Sequence, residues 1–207
     1  ISWFVEQFGA ADRAEAEKQG MSVERYLDEK IKDIEPGAGG LILQPFWTPG
    51  ITNPRASGAI VGFSDFHTRY HMYRAVIEGI CMELYHGLDT MQKRSKLTVS
   101  ELYAGGGGTS SPVVCQIAAD VFGLPVHRIQ THEACAVGCA MSAFISKGVY
   151  KDYEDAISHM VQKKDVFIPN ERNHGIYMKI YNKAYSRLAS KLKSIEKHLH
   201  NFQTGGH

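Results

Sequence analysis

A run of four glycines in the sequence AGGGGTSSP, at residues 104–112, is the stretch of this chain best suited to binding chemistry. It follows a predicted strand that contains Val99, Leu102 and Tyr103, and it precedes a predicted helix. Glycines let the backbone approach an anion closely, and the free N–H groups at a helix N-terminus point toward negative charge. The order therefore indicates a phosphate-binding loop, with a plain turn or a flexible connector as the alternative.

The residues after the glycines indicate where that helix begins and ends. Ser111 is of a type preferred at the N-cap, and Pro112 is preferred at the first helical position. Gly123 is of the type that commonly ends a helix. We therefore predict a helix over 111–122 directly behind the glycine loop.

Histidine and cysteine, the other residue types that could do chemistry, show no metal-binding pattern. His67 and His71 lack the internal glutamate of zinc proteases, so we expect a solvated or helix-end role for them. No CxxC pair occurs, and the four cysteines all lie in apolar runs predicted to be helical: Cys81, Cys115, Cys135 and Cys139. We expect buried free thiols in a reducing compartment and no bound metal.

The composition is that of an ordinary globular protein of one or two domains. The 207 residues carry a net charge of +1, and 43% are hydrophobic and 22% charged. Near-neutral charge without a long basic run argues against general nucleic-acid binding. No apolar run approaches the roughly 18 residues of a membrane span, and the N-terminus does not resemble a signal peptide. We therefore expect a cytoplasmic protein without a membrane or nucleic-acid partner.

Helices that alternate with a few strands position the glycine loop. The apolar patterns predict strands over 41–46, 98–104 and 125–129, an irregular loop over 47–58, and helices over 11–19, 22–34, 68–94, 111–122, 132–146 and 170–198. The apolar stripe of the helix over 68–94 predicts core packing against a sheet. The helix over 132–146 has a face of small residues, for which we expect tight packing against the sheet, or else clearance for a ligand beside the glycine loop.

The order of four sequence blocks resembles the C-terminal domain of the FGGY carbohydrate kinases. The run AGGGGTSSPVVCQIAADVFGLPV at 104–126 looks like that family's glycine-rich nucleotide segment. HTRYHMYRAVIEG at 67–79 resembles its long-helix motif, and EACAVGCA at 133–140 resembles its EAxAxGAA helix. FIPN at 167–170, before a tyrosine-rich helix, resembles its closing segment. The resemblance extends from about Gly40 to near the end of the chain.

The resemblance implies a fold and a set of nucleotide-binding residues. Members pair two actin-like ATPase (RNase H-like) domains around a cleft and transfer a phosphoryl group from ATP, with Mg²⁺, to a sugar or polyol. This chain would then be α/β, a partial actin-like domain with long flanking helices. ATP would lie along Gly106, Gly107 and Gly108, flanked by Thr109. Ser111 would reach the adenine end, and the opening ISW sequence would place Ser2 near the nucleotide.

The resemblance does not cover the catalytic base, the sugar pocket or the first phosphate loop, which all precede this sequence in the family. Phosphoryl transfer requires a carboxylate that accepts the hydroxyl proton. Neither Asp65 nor Asp120 falls at a family catalytic position. We therefore expect residues 1–207 to be the C-terminal nucleotide-binding domain of a sugar kinase, with a helical lead-in at 1–36 and a core at 37–207.

Several functional expectations follow from the missing segments. The chain alone should be inactive, it should bind ATP only weakly, and it should contact its sugar or polyol through the absent N-terminal domain. Its exposed cleft wall should leave an apolar patch that could support a homodimer. The sequence ASG at 56–58, where members commonly have ARG, leaves the substrate open. The alternative is a non-catalytic actin-like module that binds nucleotide or another protein as a scaffold.

Overall fold

The computed structural model describes residues 1–47 and 54–203 of the chain. The loop predicted over 47–58 therefore lies partly outside the described residues. In the described part, no helix is both long enough and apolar enough to cross a membrane.

Three short helices open the chain: α1 (Ser2–Phe8), α2 (Ala10–Lys18) and α3 (Val23–Ile31). The sequence predicted α2 and α3 but missed α1, because its seven residues make too short a segment for a helical pattern to stand out. Ser22 caps α3, since its hydroxyl accepts the Arg25 N–H at 3.3 Å. The lead-in packs into the same core as the rest of the chain, where it completely buries three side chains, Phe4, Leu27 and Ile31.

A two-stranded antiparallel sheet follows, made of β1 (Ile42–Gln44) and β2 (Ala59–Val61), with Leu43 opposite Ile60. The predicted strand over 41–46 is confirmed in shorter form. Strand β2 was not predicted, because the segment between the predicted loop and Gly62 has only three residues, too few to show a strand pattern. The backbone of β1 lies directly against the long helix α4 (Arg69–Ser95), where a Cβ on Gly79 would collide with the Leu43 carbonyl oxygen.

The long helix α4 is core in its first half and exposed in its second. Residues from Tyr73 to Met82 are almost all buried, as the apolar stripe predicted. The prediction is wrong for Leu84 and Met91, which are 62% and 52% exposed. The physical reason is that none of the described residues covers the second half of this face.

The glycine loop belongs to a three-stranded sheet with the order β3-β4-β5. Strand β3 (Leu102–Ala104) runs parallel to β4 (Val126–Ile129), and β5 (Lys163–Phe167) runs antiparallel to β4. Helix α5 (Pro112–Phe122) connects β3 to β4, as parallel pairing requires. Strand β3 covers only the end of the predicted 98–104 segment, and β5 was not predicted because its two lysines and aspartate interrupt the apolar pattern.

Helices α6 (Ala134–Ser146) and α7 (Tyr153–Met160) pack against each other. Helix α6 packs closely beside β3 only at its first residue, Ala134, which lies against Gly105; for the rest of the helix the expected tight packing is wrong, because Met141 is its one buried residue. The expectation of four buried thiols is wrong in the same helix. Cys135 and Cys139 are exposed, whereas Cys81 and Cys115 are buried.

The predicted final helix over 170–198 is interrupted by a π-helical turn. It consists of α8 (Glu171–Ile180), the turn Tyr181–Tyr185 and α9 (Ser186–Gln203). Tyr177, Tyr181 and Tyr185 are buried against the core. The tyrosine hydroxyls bond to α4, at Glu78, His86 and the Gly79 carbonyl, whereas Lys179 and Lys183 are exposed.

A buried polar network ties α4 to α8 and to the start of the first sheet. Arg74 Nε donates to Glu78 Oε1 at 2.7 Å, and Tyr177 Oη donates to the same oxygen at 2.8 Å. The Gly37 N–H also donates to it at 3.1 Å. Burial raises the pKa of Glu78, and the Arg74 charge and these hydrogen bonds oppose that shift. Four hydrogen-bonding groups therefore share one buried site between two helices.

Candidate functional site

The glycine loop presents successive backbone amides, at Gly107 and Gly108, that have no acceptor among the described residues. Residues 107–110 form a single 3-10 turn. The Gly106 N–H donates to the His132 carbonyl at 3.0 Å, and the Thr109 N–H donates to the Gly106 carbonyl at 3.0 Å. Within residues 1–47 and 54–203, the Gly107 and Gly108 amides donate to no backbone or side-chain acceptor. An anion could therefore accept hydrogen bonds from these two successive N–H groups.

The space above the loop is open where the sequence placed the phosphates. A Cβ added at Gly106, Gly107 or Gly108 would meet no atom within 4 Å. Gly106 has φ +101°, which requires glycine, and a Cβ on Gly105 would lie 2.6 Å from the Ala134 Cβ. The glycines thus serve two purposes, because the first permits close packing on α6 and the others leave a clear backbone surface.

Thr109 stabilises the glycine loop through hydrogen bonds on its buried side. Its side chain is buried, and its hydroxyl donates to the Gly106 carbonyl at 2.7 Å. Its own carbonyl accepts a hydrogen bond from Arg128 Nη1 at 2.9 Å. The structure therefore gives Thr109 a supporting position under the turn.

Arg128, on β4, is a residue that the sequence analysis missed. Its guanidinium binds the Thr109 carbonyl on one side and the Asp165 carboxylate of β5 on the other, with Nε to Oδ2 at 2.8 Å. The side chain is only 11% exposed. An arginine inside a predicted strand was the available signal, but its partners lie 19 and 37 positions away in sequence.

Ser111 and Pro112 occupy the predicted cap positions. Ser111 Oγ accepts the Val114 N–H at 3.0 Å, and Pro112 is the first helical residue. Burial raises the pKa of Asp28 on α3, while the Ser111 and Tyr73 hydroxyls oppose that shift. Ser111 therefore lies where the loop, α5 and the lead-in helix α3 meet.

A cleft of about 820 Å³ lies between the glycine loop and α4. Its lining is mostly apolar, and it includes Gly105–Gly108, Ile77, Leu84, Leu88 and Ile1. Ile1 is thus on the same cleft as the loop. Ser2, the next residue, begins α1 and is exposed.

Two buried thiols, Cys81 and Cys115, also line the cleft. Burial raises the pKa of Cys81 to about 12 and also raises the pKa of Cys115. Cys115 Sγ lies 3.7 Å from the Thr109 carbonyl as a weak donor. Both groups stay protonated at neutral pH, so neither is an activated nucleophile.

Asp120 and Asp65, the two carboxylates considered in the sequence as catalytic groups, do not line the cleft. Asp120 is buried and accepts hydrogen bonds from Gln116, Asn170 and Asn173, each at 2.8 Å, so it joins α5 to the start of α8. Asp65 is exposed and accepts the Ser64 hydroxyl at 3.2 Å. In the described residues, no group of three or more His, Cys, Asp or Glu side chains could hold a metal ion.

The histidine pair has the helix-end role that the sequence predicted. His71 Nδ1 accepts the Thr68 N–H at 3.2 Å and completes a capping box at the start of α4. His67 Nδ1 accepts the Ser64 N–H at 2.8 Å.

Comparisons with known proteins agree with this architecture. Residues 1–146 match the family described as the FGGY family of carbohydrate kinases, C-terminal domain. A relative described as the uncharacterized sugar kinase YgcE of Escherichia coli (strain K12) is 31% identical over 173 residues. That alignment covers 84% of this chain and 35% of the relative.

Solved structures share the fold. The xylulose kinase from Rhodospirillum rubrum superposes with a TM-score of 0.78 at 27% identity, over 95% of this chain and 38% of that one. The Plasmodium falciparum glycerol kinase with ADP superposes with a TM-score of 0.66 at 20% identity, over 90% and 36%. The α/β body is therefore part of an actin-like ATPase fold, as predicted, and the chain spans about a third of the length of these proteins.

Proposed function

Because this chain belongs to the FGGY family of carbohydrate kinases, we propose that it forms the ATP-binding part of an enzyme that phosphorylates a sugar or polyol hydroxyl. In this proposal residues 1–207 are the C-terminal nucleotide-binding domain, with a lead-in at 1–36 and a core at 37–207. The observation that carries it is the pair of amides at Gly107 and Gly108, which have no acceptor among the described residues and lie where an added Cβ would meet no atom, at the turn before α5.

The nucleotide's phosphates lie on the glycine loop in this proposal. The amides of Gly107 and Gly108 donate to phosphate oxygens, and Gly106 contributes clearance, because its own N–H is bound to His132. Thr109 and Arg128 hold the loop in shape from the protein side. ADP in the Plasmodium falciparum glycerol kinase, which shares this fold, supports a nucleotide ligand.

The adenosine end extends toward Ser111 and the start of α1. The Ser111 oxygen already accepts the Val114 N–H, and its second lone pair can accept a hydrogen bond from an exocyclic amino group. Ser2 is exposed at the beginning of α1, beside Ile1 on the cleft. Neither Ser2 nor Ser111 is among the residues that line the cleft, so we assign both to its edge.

Mg²⁺ and the reacting hydroxyl belong to the other side of the cleft in this proposal. Mg²⁺ spreads over the phosphates and neutralises charge during transfer. The described residues contain no acidic cluster to hold it, so we place its ligands on the nucleotide and on the N-terminal domain. The catalytic base and the sugar or polyol pocket are assigned to that domain as well, which makes the 207-residue chain inactive alone. A cytoplasmic location and homodimer formation complete the proposal.

Nucleotide titration of the 15N-labelled chain tests the phosphate loop. We expect ADP and ATP to shift the amide resonances of Gly107 and Gly108, with a Kd of about 1 mM, or about 4 kcal/mol. Gly107→Leu fills the open space without a clash and should abolish the shifts. Gly175→Leu is the matched control, because a Cβ there also meets nothing within 4 Å, and it lies on α8.

The outcome distinguishes the two functional classes. Unchanged shifts in the Gly107→Leu variant would contradict the phosphate assignment. Absence of any nucleotide response in the parent chain and in the full-length protein would favour the scaffold alternative. Phosphorylation of any sugar by the purified chain would show that the base lies within these 207 residues.

A further inference from the structure

A second cavity, of about 350 Å³, lies beside α1 and the first sheet and shares no lining residue with the cleft at the glycine loop. Three aromatic side chains line it, those of Trp3, Phe46 and Trp47, together with the polar residues Gln44 and Ser57. A space of this size with aromatic walls and few polar groups is typical of a small-molecule site. The chemistry of its ligand follows from the groups that the cavity offers.

Two tryptophans form an aromatic corner of this cavity. The ring centroids of Trp3 and Trp47 are 5.6 Å apart, with 62° between the ring planes. The two side chains are 42% and 41% exposed, and the cation–π contacts among the described residues involve neither of them. The face of an indole ring is negative and attracts a cation placed over it. The corner therefore suits a positively charged ligand.

The Gln44 amide offers a buried hydrogen-bond acceptor at the cavity. Gln44 is only 2% exposed, and its Nε2 donates to Glu196 Oε1 at 3.1 Å. Its Oε1 is buried and accepts no hydrogen bond from the described residues. Gln44 also lines a space of about 70 Å³, which has room for water only. A buried carbonyl oxygen without a donor is costly, so a ligand that donates an N–H to it gains stability.

A buried carboxylate lies directly behind the cavity wall. Glu196 of α9 is 3% exposed and accepts the Gln44 amide and, at 3.4 Å, the Ser57 N–H. The ion pairs among the described residues do not include Glu196. Buried charges are normally compensated by an opposite charge. The electrostatics of the wall therefore favour a cation over a neutral or anionic ligand.

We propose that this cavity binds a free primary alkylammonium ion. Its N–H donates to Gln44 Oε1, its charge lies over the tryptophan corner and near the Glu196 carboxylate, and its alkyl chain packs against Leu43 and Phe46. A neutral alcohol supplies the donor without the charge, and a quaternary ammonium supplies the charge without the donor. The proposal goes beyond the nucleotide site, because it assigns a different ligand to a separate cavity.

Titration with three small probes tests each part of the proposal. The chain has two tryptophans, and both line this cavity, so their indole N–H resonances in the 15N-labelled chain report on it alone. We expect n-butylammonium chloride to shift both resonances with a Kd of about 1 mM, against sodium chloride at the same ionic strength as the blank. n-Butanol and tetramethylammonium should each bind at least about tenfold more weakly.

Each other result of that titration contradicts the proposal. Equal binding of n-butanol would show that charge is not recognised. Equal binding of tetramethylammonium would show that Gln44 Oε1 accepts nothing from the ligand. No shift with any probe would overturn the site and leave Gln44 Oε1 to water.

Two substitutions, each with a control, test the residues. Glu196→Gln keeps an acceptor for the Gln44 amide but removes the charge, so it should weaken n-butylammonium binding about tenfold and change n-butanol binding less than about twofold. Trp47→Leu should weaken n-butylammonium binding about fivefold, read at the Trp3 resonance. Phe144→Leu is the matched control, because Phe144 is 42% exposed and lies on α6, away from the cavity. Equal losses for both probes in Glu196→Gln, or equal binding in Trp47→Leu and Phe144→Leu, would overturn the proposal.

Discussion

Replacing Arg128 by methionine should loosen the glycine loop and destabilise the sheet beneath it. Methionine keeps a similar length and fills the space, but it removes every hydrogen bond of the guanidinium. Among the described residues, the Thr109 carbonyl then retains only the weak Cys115 thiol donor at 3.7 Å. The change therefore leaves a backbone acceptor at the base of the loop almost without a partner.

The magnitude follows from the contacts that are lost. A charged hydrogen bond to a buried carbonyl contributes about 1.5–3 kcal/mol. The Asp165 partner is 38% exposed, so that ion pair adds at most about 1 kcal/mol, and the contact with the Phe167 ring at 5.5 Å adds less. We expect a loss of about 3 kcal/mol in the free energy of unfolding, which lowers the urea midpoint by about 1 M.

Asp165→Asn provides the matched control for this experiment. It weakens the ion pair but leaves the hydrogen bond from Arg128 to Thr109, so we expect a loss of about 1 kcal/mol or less. Both variants are measured by urea unfolding followed by circular dichroism, and nucleotide binding is measured by the same amide shifts as above. Arg128→Met should weaken binding about tenfold more than Asp165→Asn does. Equal midpoints for the two variants would refute the claim that Arg128 supports the loop.

Two further predictions concern α4. Gly79→Ala should lower the free energy of unfolding in urea by about 1–3 kcal/mol, because the new Cβ collides with the Leu43 carbonyl oxygen. Gly87→Ala is the control, because it has open space around it and should be neutral or stabilising. Equal effects of the two substitutions would contradict the close approach of β1 to α4. Burial and the neighbouring His67 lower the pKa of His71 below 6.5, so the unfolded state binds more protons and stability should fall as the pH drops through 6.5 toward the folded-state pKa. His71→Gln keeps a capping acceptor and should flatten that part of the pH profile, and an unchanged profile would exclude His71 as its source.

Local signals in the sequence were enough to find the loop and its helix. Ser111, Pro112 and Gly123 bound α5 as predicted, because capping and proline geometry depend only on adjacent residues. The glycines between β3 and α5 were recognised for the same reason. Family membership could be inferred from the order of four short blocks, because four motifs in one order are more specific than any one of them alone.

Burial and long-range support could not be predicted from the sequence. The small face of α6 suggested close packing, yet Cys135 and Cys139 are exposed, because exposure depends on which element arrives opposite a helix. Leu84 and Met91 follow the same apolar stripe as the buried Ile77, and no local feature separates the two halves of α4. Strand β5 was missed because its charges protect a sheet edge, and an edge exists only once the sheet has formed.

The sequence by itself determined that four glycines stand between a strand and a capped helix, and from this it predicted that the backbone there binds an anion. The tertiary structure alone decided which amides are free. Folding places the His132 carbonyl on the Gly106 N–H and Arg128 on the Thr109 carbonyl, and it leaves the Gly107 and Gly108 amides available as donors among the described residues. The reason is physical: hydrogen-bond partners far apart in the chain are chosen by the packing of the strands and helices that carry them, and a local pattern cannot encode that choice.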